Sequence, residues 1–275
     1  MINTFKKNRI LEALKKGETP LGMFVSTGDP MLIEILAYTG FDFCVLDMEH
    51  TGLSVERMEH GIRAADAAGI TLLVRIGENT PDMIRRAVES GAQGVIIPHV
   101  KNREDTRKAV DLVRYPPEGK CGICPLVRAA RFSIDGWDEH LKWSSTQTMV
   151  VPLLEDMEAI DNLDEIFAEL KPGVDAVGFG PADFAHSLTP PGGKVDWHHP
   201  QVSEAFDRLL EKSKKTTIPV MGVPWPACTP EYAKAALEKG VRIMLYQGDL
   251  PLFYSLCRDI VRAIKPPLTG EEIGR

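Results

Sequence analysis

The stretch GFDFCVLDMEHTGLS, residues Gly40–Ser54, predicts a buried strand that ends in a polar loop. Its apolar run, FDFCVL, follows a glycine and is typical of a strand buried on both faces, as in a parallel sheet. The run stops at Asp47, and Glu49 and His50 follow shortly after. In a barrel of parallel strands, active sites are built at this edge. Two interpretations are open here: a histidine oriented by a carboxylate as a general base, and a polar turn that satisfies the loop backbone.

The pattern of this stretch continues along the chain, where eight strand candidates alternate with eight helical stretches. The predicted strands are Leu21–Ser26, Phe43–Asp47, Leu72–Arg75, Gly94–Pro98, Met149–Glu155, Ala176–Gly180, Ile218–Val223 and Ile243–Gln247. The predicted helices are Met31–Tyr38, Val55–Ala68, Pro81–Ser90, Arg103–Val113, Ala159–Leu170, Val202–Lys212, Pro230–Lys239 and Leu250–Ile264. Alternating strands and helices form βαβ units around a parallel sheet. Eight units in 275 residues predict an α/β fold, the closed (β/α)8 or TIM barrel.

Three further segments complete the predicted architecture. The N-terminal stretch MINTFKKNRILEALKKGE reads as an extra amphipathic helix that plugs the bottom of the barrel, with Phe5, Ile10, Leu11 and Leu14 inward. Residues Arg114–Thr148 form a long loop after strand four, and a connection of this length in a compact domain is usually functional or disordered. We expect one barrel domain over residues 1–275, with the tail from about residue 265 loose or used at a subunit contact.

The composition narrows the compartment and the partners. Hydrophobic residues make up 44% and charged residues 26% of the chain, as in an ordinary globular protein. A net charge of -7 argues against a general nucleic-acid surface. No apolar run is long enough to span a bilayer, and the N-terminus lacks the apolar core of a signal peptide. We therefore expect a cytoplasmic protein with small-molecule partners and without a nucleic-acid or membrane partner.

The cysteines include one C-x-x-C pair, Cys121 and Cys124, which is a pattern used in zinc and redox sites. No second C-x-x-C or nearby H-x-x-x-H completes a zinc site, and the pair does not open a helix after a strand as in thioredoxins. We therefore interpret the two residues as reduced thiols in a loop of a cytosolic protein.

Charged side chains stand at the ends of four regions of the predicted barrel. These residues are Asp47, with Glu49 and His50 beyond it, Arg75, Glu155, and Asp183 in the segment GFGPAD. Because the carboxyl ends of barrel strands meet at one mouth, we expect them to form one constellation. Two carboxylates without matching histidine or cysteine ligands suit a hard divalent cation such as Mg²⁺ or Mn²⁺.

Such an ion would keep several positions open for water and for a chelating substrate, and a 2-oxo acid chelates well. The ion would act as a Lewis acid on the ketone and stabilise the enolate. Arg75 can donate fork-like hydrogen bonds to the same oxygens. His50, held by Asp47, can move protons.

Six motifs follow one another over most of the chain. They are FDFCVLDMEH, the dipeptide VR ending at Arg75, GAQGVIIPHV at Gly91–Val100, VRYPPEG at Val113–Gly119, E-x-x-E-A at Glu155–Ala159, and GPADF at Gly180–Phe184. In this order they resemble the class II, metal-dependent 2-oxo acid aldolases of the HpcH/HpaI family. The resemblance implies a pyruvate-type enolate that adds reversibly to an aldehyde and gives a 4-hydroxy-2-oxo acid.

The resemblance also implies roles for individual residues. Glu155 and Asp183 correspond to the metal ligands for Mg²⁺, Mn²⁺ or Co²⁺, Arg75 to the family's arginine, and His50 with Asp47 to its histidine–aspartate dyad. The expected substrate-binding residues are Arg75, Gly180, Pro181, Ala182 and Asp183, and Glu49 is a candidate for the water shell of the metal. The family further implies a homo-oligomer, a trimer or hexamer, in which the last helix packs on a neighbour.

Several positions differ from the family pattern or are interpreted as having no catalytic role. Leu153 stands where relatives often carry a glutamine that faces the donor acid, and Cys121 replaces the arginine of a common arginine–glycine pair. Residues 76–79 lack the usual proline and tryptophan. The donor, whether pyruvate, hydroxypyruvate or oxaloacetate, therefore stays open. His99, after Pro98 at the end of strand four, could face the mouth, but a loop histidine is the favoured interpretation because its neighbours there are apolar.

Other functions remain open at this stage. A citrate lyase β or malyl-CoA lyase type of C–C lyase would also hold Mg²⁺ with two acids in a barrel. An oxaloacetate decarboxylase, or a cyclisation catalyst like macrophomate synthase, would form the same enolate. A barrel retained as a binding protein is the non-enzyme alternative. A Schiff-base aldolase is not favoured, because no lysine lies on a predicted strand.

Overall fold

In the computed structural model, which describes residues 5–265, eight parallel strands close into a barrel in chain order. They are β1 (Leu21–Val25), β2 (Phe43–Asp47), β3 (Thr71–Arg75), β4 (Gly94–Ile97), β5 (Met149–Leu154), β6 (Val177–Phe179), β7 (Val220–Gly222) and β8 (Ile243–Gly248). Strand β1 pairs with both β2 and β8, which closes the sheet. Each strand ends within two residues of its prediction, and the predicted (β/α)8 fold is confirmed.

Helices surround this barrel. They are α1 (Arg9–Lys15), α2 (Pro30–Tyr38), α3 (Val55–Ala68), α4 (Pro81–Ser90), α5 (Arg103–Val113), α6 (Trp137–Gln147), α7 (Met157–Asp161), α8 (Leu163–Ala168), α9 (Pro181–Ser187), α10 (Pro200–Thr216), α11 (Pro230–Lys239) and α12 (Asp249–Ile264). Local signals explain their ends. The Ser54 hydroxyl accepts a hydrogen bond from the amide of Arg57 at the start of α3, and Gly69 ends α3 with a φ of 77°.

Two helical predictions need correction. The long connection after β4 is not structureless, since it contains a short 3₁₀ helix at Arg128–Ala130 and then α6. The buried side chains of α6 are His140 and Ser144, so the sequence shows no apolar period there. The predicted helix Ala159–Leu170 is two short helices that meet at Asn162, whose side chain donates a hydrogen bond to the carbonyl of Lys101 at 3.0 Å.

The N-terminal helix plugs the barrel as predicted. Ile10 and Leu11 of α1 are buried in the same apolar cluster as Phe43, Leu73 and other inward residues of the strands. A second cluster fills the layer between strands and helices. Phe5 lies outside the barrel interior and stacks on Trp143, with 5.5 Å between the ring centroids.

The last helix, α12, has no buried residue, although it is strongly amphipathic in sequence. Its exposed apolar side chains are Leu250, Phe253, Tyr254, Leu256, Ile260, Val261 and Ile264. No helix within residues 5–265 is long and apolar enough to cross a membrane. The tail expected to be loose falls almost entirely outside the described residues.

Candidate active site

The charged residues singled out in the sequence meet at the carboxyl-terminal mouth of the barrel. Asp47 and Arg75 end β2 and β3, Glu155 follows β5, and Asp183 lies in the first turn of α9 after β6. A cavity of about 280 Å³ opens there, and its lining includes Arg75, Glu155 and the segment Gly180–Asp183. Parallel strands carry these side chains to one edge, as expected for this fold.

Asp47 and Arg75 form a two-bond ion pair between β2 and β3. Arg75 Nε donates to Asp47 Oδ1 at 2.9 Å, and Nη2 donates to Oδ2 at 2.7 Å. The amides of Glu49 and His50 also donate to Oδ1, at 3.1 and 3.3 Å. Burial favours the neutral acid, but the hydrogen bonds and charge of Arg75 outweigh it and lower the pKa of Asp47.

The predicted hydrogen bond between Asp47 and the His50 ring does not form. Within the described residues, the oxygens of Asp47 bind Arg75 and the two backbone amides, because the guanidinium fork matches a carboxylate better than a ring nitrogen does. The His50 ring lies beside Glu49 instead, with 3.6 Å from Nε2 to Oε2, and is 54% exposed. The catalytic role of His50 stays a prediction.

Glu49 is a buried carboxylate between three cationic or potentially cationic groups. Its nearest contacts are Arg75 Nε at 3.4 Å, His99 Nε2 at 3.3 Å and His50 Nε2 at 3.6 Å. Burial nevertheless raises the pKa of Glu49, and the charge of Asp47 adds to that effect. Glu49 Oε2 is buried without a hydrogen-bond partner, so this acid is poised for a further donor at the mouth.

His99 is the site residue that sequence reasoning missed. Its apolar neighbours favour a loop histidine, yet its amide and its ring both contact Glu155 Oε2, at 2.9 Å from N and 3.0 Å from Nδ1. The apolar residues before it belong to β4 and pack into the barrel layers, so they say nothing about the side chain that follows. The available signal is a polar residue two positions past the end of a barrel strand.

Glu155 and Asp183 form the acidic end of the mouth. The pKa of Glu155 is raised to about 7, chiefly by burial and in smaller part by the negative charges of Asp183 and Glu49, against the opposing effect of His99. Glu155 Oε1 lies against Gly180, where an added Cβ would come within 2.7 Å of it. Asp183 is half-buried and makes no hydrogen bond or ion pair with the part of the chain described.

The chemistry of these donors fits a hard divalent cation. Both acids offer oxygen, the donor atom that such cations prefer in proteins. No group of three or more His, Cys, Asp or Glu side chains within residues 5–265 could enclose an ion. Glu155 and Asp183 are oxygen donors of the kind that such an ion binds, and their role as its ligands stays a prediction.

The C-x-x-C cysteines are free thiols, and two further side chains form part of the cavity wall. Cys121 is buried and Cys124 exposed, both as free thiols, and burial raises the pKa of Cys121. A buried thiol with a raised pKa is a poor nucleophile. Leu153 and Trp225 line the mouth cavity, and Trp225 packs edge-on against Trp197 with 6.0 Å between ring centroids.

Known proteins are similar to this one in sequence and in fold. A 2-dehydro-3,6-dideoxy-6-sulfogluconate aldolase of Pseudomonas putida is 29% identical over 252 residues, which cover 92% of this chain and 95% of that protein. A 5-keto-4-deoxy-D-glucarate aldolase of Enterobacter sp. (strain 638) is 29% identical over 267 residues, covering 96% and 100%. The crystal structure of an HpcH/HpaI aldolase/citrate lyase family protein from Burkholderia cenocepacia J2315 aligns with a TM-score of 0.84 at 28% identity, covering 94% and 100%.

The barrel and its relatives define a carbon–carbon lyase of the aldolase type. The sequence profile of the HpcH/HpaI aldolase/citrate lyase family matches residues 20–244. The chain belongs to this family, and the resemblance seen in its six motifs is confirmed.

Proposed function

We propose that the protein is a class II aldolase that uses a divalent cation to join a pyruvate-type 2-oxo acid and an aldehyde, reversibly, into a 4-hydroxy-2-oxo acid. The observation that carries the proposal is the convergence of Glu155, Asp183 and Arg75 on one cavity of about 280 Å³. Two acids for a hard cation and one guanidinium for developing negative charge are the groups that enolate chemistry needs. We propose that one catalytic domain covers the whole chain and acts in the cytoplasm.

Glu155 and Asp183 would hold Mg²⁺, Mn²⁺ or Co²⁺. When bound, such an ion supplies a Lewis acid for the keto group of the 2-oxo acid. Gly180 leaves space for the Glu155 carboxylate, since a side chain there would meet Oε1 at 2.7 Å. The adjoining segment Gly180–Asp183 lines the cavity and provides the floor on which the small acid binds.

Arg75 would stabilise the charge that develops on the substrate oxygen. Nε and Nη2 are fixed on Asp47, and the guanidinium carbon lies 4.6 Å from the centre of the Phe24 ring. Nη1 makes no hydrogen bond with the described residues, so its protons remain for the substrate. A guanidinium held from two sides is preorganised, which is the condition for strong electrostatic stabilisation.

His50 would carry the proton between the donor carbon and the aldol oxygen. Imidazole exchanges protons near neutral pH, and the half-exposed ring of His50 is open to solvent and substrate. Glu49, 3.6 Å from Nε2, is the carboxylate that would orient the ring. We propose that Asp47 acts through Arg75 and through the backbone amides of this loop.

The substrate class follows from relatives and from the cavity. The two relatives compared above act, by their names, on deoxy sugar acids with a keto group. An aldehyde of the kind that cleavage of such a sugar acid would release is therefore the first acceptor to test here. Leu153 and Trp225 in the cavity wall give part of it an apolar character, so acceptors with fewer hydroxyl groups belong in the same test.

The decisive experiment is a panel of aldehydes with pyruvate, hydroxypyruvate or oxaloacetate as donor and Mg²⁺, Mn²⁺ or Co²⁺ as cation, scored for carbon–carbon bond formation. Product with one donor and dependence on the added ion would support the proposal. Full activity after exhaustive EDTA treatment would contradict it. Release of CO₂ from oxaloacetate without any aldol product would identify a decarboxylase instead.

We also propose a homo-oligomer, a trimer or hexamer, in which α12 packs on a neighbouring subunit. The support is that no residue of α12 is buried although it carries large apolar side chains, among them Phe253 and Leu256, which are 68% and 59% exposed. Leu256→Glu should shift the protein to smaller species in sedimentation velocity. Lys212→Glu, outside α12, is the control that should leave the assembly unchanged.

A further inference from the structure

His99 makes two contacts to the same carboxylate oxygen. Its backbone amide donates to Glu155 Oε2 at 2.9 Å, and its ring nitrogen Nδ1 lies 3.0 Å from that oxygen. His99 follows β4, and Glu155 follows the neighbouring strand β5, so adjacent strand ends bring them together. The hydrogen bond from the amide and the close approach of the ring together hold this oxygen beside the turn after β4.

The backbone of His99 adopts a conformation that most side chains avoid. Its φ is 55°, in the left-handed region, where histidine, asparagine and aspartate occur more often than other non-glycine residues. The next residue, Val100, donates its amide to the carbonyl of Leu153 on β5 at 3.3 Å, which ties the turn to the strand that carries Glu155. A strained backbone beside a functional carboxylate is where a positioning role is to be sought.

The other oxygen of Glu155 has different surroundings. Oε1 lies against Gly180, where only a hydrogen occupies the space of a Cβ, and it accepts no hydrogen bond from the described residues. The carboxylate thus has one oxygen held by His99 and one oxygen left for another partner. Asp183, whose charge acts on Glu155, belongs to the segment that begins at Gly180.

We infer that His99 is a positioning residue that holds Oε2 of Glu155 and thereby presents Oε1 to the divalent cation. The inference rests on the proposed metal-dependent function. His99 Nε2 lies 3.3 Å from Glu49 Oε1, and Glu49 Oε2 lies 3.4 Å from Arg75 Nε. Through Glu49, His99 therefore also connects Glu155 to the Arg75–Asp47 pair. This connection keeps Glu155 and Arg75 at a fixed spacing. Hydrogen-bond partners of metal ligands generally tune affinity in this way.

Two substitutions separate the ring of His99 from its backbone. His99→Gly keeps the amide donor and tolerates a φ of 55°, but it removes the ring. His99→Asn also tolerates this φ and keeps a side-chain N–H donor. The matched control is His60→Asn on α3, a histidine that is 54% exposed, against 61% for His99, and whose only ion pair among the described residues is with Glu56 at 3.9 Å.

The readouts are the Kd for Mn²⁺, measured by electron paramagnetic resonance, and the visible spectrum of the Co²⁺-loaded protein, which reports the number of ligands. His99→Gly should weaken Mn²⁺ binding about 10- to 100-fold, because the carboxylate loses its fixed orientation. It should also alter the Co²⁺ spectrum, because the released carboxylate can offer both oxygens. His99→Asn should recover most of the affinity. His60→Asn should match the wild type, and thermal melts should show that all variants fold.

The outcomes distinguish the inference from the function on which it rests. If Glu155→Ala binds Mn²⁺ as well as the wild type does, the proposed metal site itself is wrong. If Glu155→Ala loses the ion while His99→Gly keeps wild-type affinity and spectrum, only the positioning role is wrong. If both His99→Gly and His99→Asn lose the ion as completely as Glu155→Ala, His99 is itself a ligand and the inference is overturned.

Discussion

Arg75 donates two parallel hydrogen bonds to Asp47, from Nε to Oδ1 at 2.9 Å and from Nη2 to Oδ2 at 2.7 Å. The two residues stand opposite each other in the register of β2 and β3, at the last position of both strands. The pair is almost buried, with Asp47 4% exposed. This geometry fixes the direction of the remaining nitrogen of Arg75, the one that we expect to meet a substrate.

The first prediction concerns Arg75→Lys. A lysine is a point donor and cannot bind Asp47 with a fork while a third nitrogen meets the substrate. We expect kcat to fall roughly 10²- to 10³-fold, the range for losing one donor to a developing oxyanion, with a smaller rise in KM. Steady-state kinetics of aldol cleavage at saturating Mg²⁺ measure both. A normal kcat with weaker binding would reduce Arg75 to a substrate anchor.

The second prediction concerns acid stability. The pKa of Asp47 is lowered in the folded protein from an ordinary value of 3.8, because Arg75 outweighs the effect of burial. The charged form therefore stabilises the fold above pH 3.8, and this contribution is lost as the pH falls from 3.8 through the folded-state pKa.

Asp47→Asn should accordingly be less stable than the wild type at pH 6, and the difference should shrink below pH 3.8. Urea unfolding between about pH 3 and 6 measures the free energies of unfolding. Asp164→Asn, at an exposed carboxylate, is the control and should change stability little. A difference that stays constant over this range would contradict the assignment.

The third prediction concerns Gly180→Ala. An added Cβ would meet Glu155 Oε1 at 2.7 Å, so either the carboxylate or the segment after β6 has to move. We expect Mn²⁺ affinity to fall by about tenfold or more, as for other disturbances of a ligand's surroundings. Gly122→Ala is the matched control, since nothing lies within 4 Å of its added Cβ. Equal Mn²⁺ affinity in both variants would mean that the space left by Gly180 is not needed for Glu155 to bind the ion.

The fourth prediction concerns His50. His50→Ala should keep folding and metal affinity but lose roughly two to four powers of ten in aldol cleavage, the usual range for one acid–base group. Glu49→Gln should give a smaller loss, because it keeps the ring but removes the adjacent charge. Exchange of pyruvate methyl protons in D₂O, followed by NMR with saturating Mg²⁺, tests enolisation directly. If His50→Ala exchanges these protons as fast as the wild type does, another group or a water molecule must accept the proton during enolisation.

The fifth prediction concerns a buried ion pair at the opposite end of the barrel. Arg114, the arginine of the VRYPPEG motif, binds Asp175 and the carbonyl of Thr148, and both charged side chains are at most 2% exposed. Burial raises the pKa of Asp175, against the opposing effect of Arg114. Arg114→Met should cost about 3–5 kcal/mol in the free energy of unfolding, because it leaves a buried carboxylate unpaired.

Urea unfolding measures this loss, and the double variant Arg114→Met/Asp175→Asn should recover part of it. The control is Lys239→Met, which breaks an exposed pair with Asp207 at 3.1 Å and should cost about 1 kcal/mol or less. Equal losses in the two single variants would mean that the Arg114 pair is no stronger than a surface contact.

Local patterns in the sequence determine the barrel and the residues at its mouth. Apolar strand runs, helical spacing and capping residues such as Ser54 are properties of neighbours in the chain, so they can be read without the structure. The fold rule that strand ends converge then places Asp47, Arg75, Glu155 and Asp183 together. No such pattern marks α6, because its buried face is polar.

Only the tertiary structure decides which of these charged groups meet. Asp47 binds Arg75 and not the His50 ring, because the register of β2 and β3 sets the guanidinium opposite the carboxylate. His99 reaches Glu155 because its backbone adopts a φ of 55° after β4. The neighbouring residues in the sequence do not predict this conformation. Contacts between groups far apart in the chain depend on strand register and on single backbone angles. Neither of these produces a periodic pattern of residues in the sequence.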